Sequence, residues 1–183
     1  MIIIKYIILL IIFLTSISIG FLLSNKYKQR VIELREIKNF LGILKTKIRF
    51  TYEPLPEIFS DILDNFEGNI LEFIKITKTK MNIMPAGIAW QEAIQEANFN
   101  LNEEDRNLLK KMGNLLGKTD IEGQLSEIEV TENFINKQID KAEEEKGKNE
   151  KMYKTLGIVA GIGMVIILIW KWVISIKCLK NCE

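Results

Sequence analysis

The sequence predicts an all-α protein, an antiparallel helical bundle between N- and C-terminal transmembrane helices. Three observations predict it. Long apolar stretches lie at both ends of the 183-residue chain, and apolar residues between them recur at helical spacing. No run in the middle alternates apolar with polar residues as a strand would. The domain reading is a transmembrane helix at 1–23, a helical bundle at 24–155, a transmembrane helix at 156–176 and a short polar tail at 177–183.

The first stretch, MIIIKYIILLIIFLTSISIGFLL, carries one charge, Lys5, and is uncharged from Tyr6 to Leu23. With its flanks it is long enough to cross a hydrocarbon core of ~30 Å. A cleaved signal peptide is the competing reading. Its apolar core is longer than the usual h-region, and FLLSNKYKQ offers no small-x-small cleavage site. The helix then continues, because Leu34, Ile37, Leu41, Leu44 and Ile48 follow a 3-4-3-4 spacing to about Phe50.

Pro54 and Pro56 open a second helix, with Glu57 in its acidic first turn. Ile58, Phe59, Ile62, Leu63 and Phe66 share one face of it, and Gly68 ends it. A third segment, NILEFIKITKTKMN, is rich in Ile and Thr and signals helix less strongly. Pro85 starts a fourth, PAGIAWQEAIQEAN, whose expected apolar side is Ile88, Ala89, Ala93, Ile94 and Ala97. Asn102 caps a fifth, EEDRNLLKKMGNLL, whose acidic first turn suits the helix dipole.

From Asp120 a long helix runs toward the second apolar stretch, with Ile121, Leu125, Ile128, Ile135 and Ile139 as its seam. Glu132 interrupts that seam and could break it or pair across a dimer, so a homo-oligomer is one possibility. The seam fades after Ala142 into a charged stalk. Leu156 to Ile176 reads LGIVAGIGMVIILIWKWVISI, with Lys171 between Trp170 and Trp172 as at a membrane boundary.

Charge places the middle segment. Lys26, Lys28, Arg30, Arg35 and Lys38 follow the first span, and Lys137, Lys141, Lys146, Lys148, Lys151 and Lys154 precede the second. The outer flanks hold Lys5, Lys171, Lys177 and Lys180. The positive-inside rule then puts the bundle in the cytoplasm. Net charge is +1 for the chain, which gives no pull toward nucleic acid. The chain has no histidine, and its two cysteines, Cys178 and Cys182, sit in the tail. This composition offers no catalytic constellation, metal site or cofactor site. The thiols read as incidental, ahead of a disulfide or a lipidation site.

One stretch invites a different reading. GNLLGKT, residues 113–119, is one residue short of the phosphate-binding pattern G-x-x-x-x-G-K-[ST], which would make the protein a membrane-anchored NTPase. That loop needs a strand before it. Here Leu108, Leu109, Met112, Leu115 and Leu116 instead lie on one helical face, so Gly113 is inside a helix and Gly117 sits at its left-handed end. Lys118 is then a turn lysine.

The ordered set PLPEIF (54–59), AWQEAI (89–94), LLGKTDIEGQ (115–124) and YKTLGIVAGIGMVIILI (153–169) resembles the stage III sporulation protein AB family of endospore-forming bacteria. That family is itself similar to the helical cytoplasmic domain of the type II secretion and type IV pilus platform protein. The resemblance implies a non-enzymatic membrane component of the channel between mother cell and forespore. It also implies a cytoplasmic secretion-type ATPase as partner, like stage III sporulation protein AA, alongside other channel membrane proteins.

Carried over by position, the structural or partner-contact candidates are Pro54, Pro56, Glu57, Trp90, Gly117, Thr119, Asp120 and Gln124. Thr119 and Asp120 are expected to cap the long helix and Gln124 to stabilise the corner. Trp90 is expected to pack in the interior, with a partner-helix anchor as the alternative. The family commonly has Glu where Lys47 stands and Thr where Glu53 stands, and the tail beyond Trp170 is longer than expected. A two-span coiled-coil adaptor unrelated to sporulation is the competing reading of function.

Overall fold

The computed structural model describes the backbone of residues 2–180 and the side chains of Ile4 and of residues 6–172. The thiols of Cys178 and Cys182 and the flanking charges of Lys5, Lys177 and Lys180 lie outside the described side chains. All regular structure among the described residues is helical: α1 (Ile2–Phe50), α2 (Leu55–Asn65), α3 (Leu71–Met81), α4 (Ala86–Glu96), α5 (Glu103–Gly113) and α6 (Ile121–Lys180). The chain divides into two units, Gln29–Glu144 and Met1–Lys28 with Glu145–Glu183.

In the Gln29–Glu144 unit α1 and α6 run antiparallel, since Lys45 pairs with Glu132 and Arg35 with Glu143. The short helices α2 to α5 complete the unit, and every residue of the predicted α1 seam is buried. The seam is wider than a 3-4 stripe, because short helices cover α1 on a broad arc. Phe40, outside the predicted seam, is fully buried at the centre of an aromatic cluster. Its ring meets those of Phe59, Phe66 and Phe73 edge-on at 5.6, 6.3 and 6.4 Å and stacks on Trp90 at 6.0 Å.

Local sequence explains the short helices. Pro54 is the N-cap of α2, and its carbonyl accepts the amides of Glu57 and Ile58 at 3.1 Å. A capping box closes the start of α5: the Asn102 side chain accepts from the Asp105 amide at 2.8 Å, and Asp105 Oδ2 accepts from the Asn102 amide at 3.1 Å. Thr77, buried in α3, donates its hydroxyl to the Phe73 carbonyl at 2.8 Å, which makes its burial tolerable.

Three expectations need correction. Ile88 is 45% exposed, while the other four expected residues of α4 are buried together with Gly87 and Trp90. The fifth helix stops at Gly113, and successive i to i−3 bonds from Asn114, Leu115 and Leu116 tighten the chain into a turn. Ile121 is exposed at the first turn of α6, so the buried seam begins at Leu125. Glu132 pairs with Lys45 of the same chain.

In the other unit, α1 and α6 pack through small residues. Ser16 Oγ donates to the Gly157 carbonyl at 2.9 Å, and a Cβ on Gly20 would stand 2.7 Å from the Tyr153 carbonyl oxygen. Close approach of this kind is how helices associate without a hydrophobic drive between them. Both α1 and α6 contain a stretch long and apolar enough to cross a membrane, with mean hydropathy 2.7 and 2.1. Only 11% of either stretch is buried, unlike the core helix of a water-soluble domain.

Candidate functional site

Seven of the eight candidate residues gather where α1, α3 and α5 end and α2, α4 and α6 begin. Gly117 stands at the junction with φ +74°, and a Cβ there would lie 3.4 Å from Leu55 Cδ1 and 3.4 Å from Ala86 Cβ. The starts of α2 and α4 therefore meet the α5–α6 corner. Gln124 ties the corner: its Oε1 accepts the Gly117 amide at 3.1 Å, and its Nε2 donates to the Thr119 carbonyl at 3.0 Å. Asp120 Oδ1 accepts the Gly123 amide at 3.0 Å, the N-cap position of α6. Thr119 does not cap α6; its hydroxyl donates backwards to the Leu115 carbonyl at 3.4 Å, within the turn.

Trp90, one turn into α4, is wholly buried, with Nε1 donating to the Leu109 carbonyl at 2.7 Å. No part of its ring is free to anchor a partner helix. Its neighbour is Gly113, where a Cβ would stand 2.4 Å from Trp90 Cδ1. A Cβ on Gly87 would in turn lie 2.3 Å from the Gly113 carbonyl oxygen. The two glycines of GNLLGKT thus have separate structural causes: Gly113 admits α4 and its indole, and Gly117 takes a left-handed turn. The stretch is a helix end and a corner, with a helix before it where a phosphate loop has a strand.

The junction exposes large apolar side chains. Phe50 is 70% exposed, Tyr52 80% and Ile83 82%, and Tyr52 holds a left-handed φ of 55°. Beside it, Lys47 pairs with Asp61 of α2, which holds its ammonium above the usual lysine range.

At the opposite end of this unit, sequence reading missed a row of polar groups on α1, of which Arg30 and Glu33 are buried and Glu36 is half-buried. Arg30 donates to Asp105 through Nε at 2.8 Å and through a second nitrogen at 3.1 Å, and reaches Gln138 at 3.4 Å. Glu33 accepts from the amide and side chain of Asn100, both at 2.7 Å. Burial pushes the Glu33 carboxyl above the usual carboxylate range, partly opposed by those two bonds. Glu36 accepts from the Ile70 amide at 3.1 Å and from Asn69 at 3.0 Å. One signal was available: extending the α1 seam backwards from Leu34 and Ile37 lands on Arg30, and a charge at a core position implies a buried partner.

Among the described residues no group of acidic or cysteine side chains is placed to hold a metal ion.

The chain matches the family model for stage III sporulation protein AB over residues 5–169. It is 24% identical over 153 residues to stage III sporulation protein AB of Bacillus subtilis (strain 168), covering 81% of this chain and 90% of that protein. A solved structure of stage III sporulation protein AB aligns with a TM-score of 0.60 at 18% identity, covering 64% of this chain and 96% of that one. That likeness bears on the fold alone. The family match runs through most of both apolar stretches and all the short helices between them, and on it this chain belongs to the stage III sporulation protein AB family.

Proposed function

We propose that the chain is a non-enzymatic, two-span membrane component of the channel between mother cell and forespore, a platform that docks a cytoplasmic secretion-type ATPase. The observation that carries this reading is the family match over residues 5–169, which takes in the whole helical unit and most of both apolar stretches. Packing supports the non-enzymatic part, because the glycines of GNLLGKT are committed to Trp90 and to the corner. ATP hydrolysis then belongs to the partner. Flanking charge supports a cytoplasmic location for the helical unit, with basic residues concentrated beside it.

A clean in-frame deletion tests the reading, with vegetative growth and heat-resistant spores counted side by side. We expect normal growth and loss of heat-resistant spores after engulfment. Normal spore counts would instead favour a membrane adaptor that works outside sporulation.

A further inference from the structure

We infer that the inner ends of the two apolar stretches carry a lysine collar that binds the headgroups of anionic phospholipids. This rests on the two-span reading and says which lipid gathers around the chain. Lys26 and Lys28 follow the first apolar stretch, and Lys151 and Lys154 precede the second. At ~1.5 Å of helix per residue, all four lie within about 8 Å of an apolar end, one Debye length at physiological salt. Glu150 comes next, ~9 Å from Leu156, and Glu145, Glu144 and Glu143 lie ~16 Å or more back along α6. On α1 the first carboxylate is Glu33, ~15 Å from Leu23 and buried. Charge is thus sorted by depth, with the bases nearest the bilayer. Across residues 24–28 and 145–155, six lysines stand against two glutamates, so the collar stays basic when every charge is counted.

Side-chain contacts make one surface of the two helices, within the unit formed by Met1–Lys28 and Glu145–Glu183. Lys154 donates to Glu150 at 2.7 Å, and its ammonium stands 5.5 Å from the centroid of the Phe21 ring on α1. That bond first, and then the charges of Lys154, Lys146 and Lys28, hold the Glu150 carboxyl below the usual carboxylate range. Lysines from both helices therefore act on one carboxylate. Lys26 and Lys151 are exposed and have no carboxylate partner among the described residues. Tyr27 and Tyr153 stack at 5.8 Å across the pair, amphipathic side chains of the kind found at headgroup level. Depth selects the occupant. A nucleic acid or an acidic protein would have to enter the headgroup layer to reach these lysines, whereas lipid phosphates already lie there. A zwitterionic headgroup brings its own cation, so the anionic one gains most from the collar.

The test places the full chain in phosphatidylcholine bilayers with a trace of spin-labelled phosphatidylglycerol or spin-labelled phosphatidylcholine. It reads the fraction of each label immobilised on the protein. We expect the anionic label to be favoured about fivefold, the contribution of one surface lysine at an anionic leaflet. Lys26→Gln, Lys28→Gln, Lys151→Gln and Lys154→Gln together should bring that preference below about twofold. Arginine at the same four positions should keep it, which separates loss of charge from loss of fold. Lys38→Gln, Lys75→Gln, Lys111→Gln and Lys118→Gln, exposed in the other unit, remove equal charge and should also keep it. Inorganic phosphate at equal ionic strength should not displace the anionic label; displacement would make this a site for free anions and overturn the inference. If the parent immobilises both labels equally, or the two glutamine variants behave alike, the collar is wrong and the two-span reading stands. If neither label is immobilised, the two-span reading fails and takes the collar with it.

Discussion

Gly113 shows how one residue can look like chemistry and serve packing. Its helical neighbours were legible, because Leu108, Leu109 and Met112 share a face. What approaches it was not, since the indole of Trp90 comes from 23 residues earlier and periodicity does not record contacts between helices. Gly113→Ala places a methyl 2.4 Å from the indole and should cost about 1–3 kcal/mol of overpacking. Thermal melting of the full chain in detergent checks this; an unchanged melting temperature would mean the helices separate freely there. Glu33 makes a second residue-scale case. Its folded pKa is raised by burial, so its contribution to stability is greatest below the ordinary glutamate range and is lost as pH rises through the raised value. Glu33→Gln should remove that loss. Melting temperatures of parent and variant should therefore diverge in their pH slope just above the usual carboxylate pKa, and parallel slopes would contradict the assignment.

At the scale of elements, sequence reading did well where one helix carries its own signal and poorly where two helices share it. The α5 capping box, the prolines that start α2 and α4, and the α1 seam follow from local spacing. The exposure of Ile88 beside a buried Trp90 does not, because both are apolar and only the close approach of α5 decides which turns inward. The polar row on α1 was hidden for the same reason: Arg30, Glu33 and Glu36 hold the start of α5 and two loops that are distant in sequence. Arg30→Met would leave Asp105 a buried carboxylate without its cation and should cost about 3–5 kcal/mol. Adding Asp105→Asn removes the charge and keeps an acceptor for the Asn102 amide, so the double variant should recover a large part of the loss. Denaturant unfolding of both variants distinguishes this from simple loss of arginine packing, in which case the second substitution would add to the damage.

For the molecule as a whole, the core of the Gln29–Glu144 unit is closed by the two most distant parts of its sequence. Lys45 meets Glu132, Arg30 meets Gln138 and Arg35 meets Glu143, so α6 supplies the last wall long after α1 has supplied the first. Contacts of such sequence separation carry a large loop-closure cost and form only if the apolar face of α6 returns enough burial. Leu125, Ile128, Ile135 and Ala142 are that face, whereas Val130 and Phe134 on the same helix are exposed. One charge placed on either face separates the two roles. Ile135→Asp buries an unpaired carboxylate and should destabilise the fold by several kcal/mol, enough for the chain to be cleared from cells. Val130→Asp adds the same charge at a solvent-facing site and should stay within about 0.5 kcal/mol of the parent. Steady-state abundance and detergent-phase melting of the two full-length variants decide it. Equal tolerance of both would mean that α1 to α5 hold together without α6, and that the long return of the chain is not what completes the core.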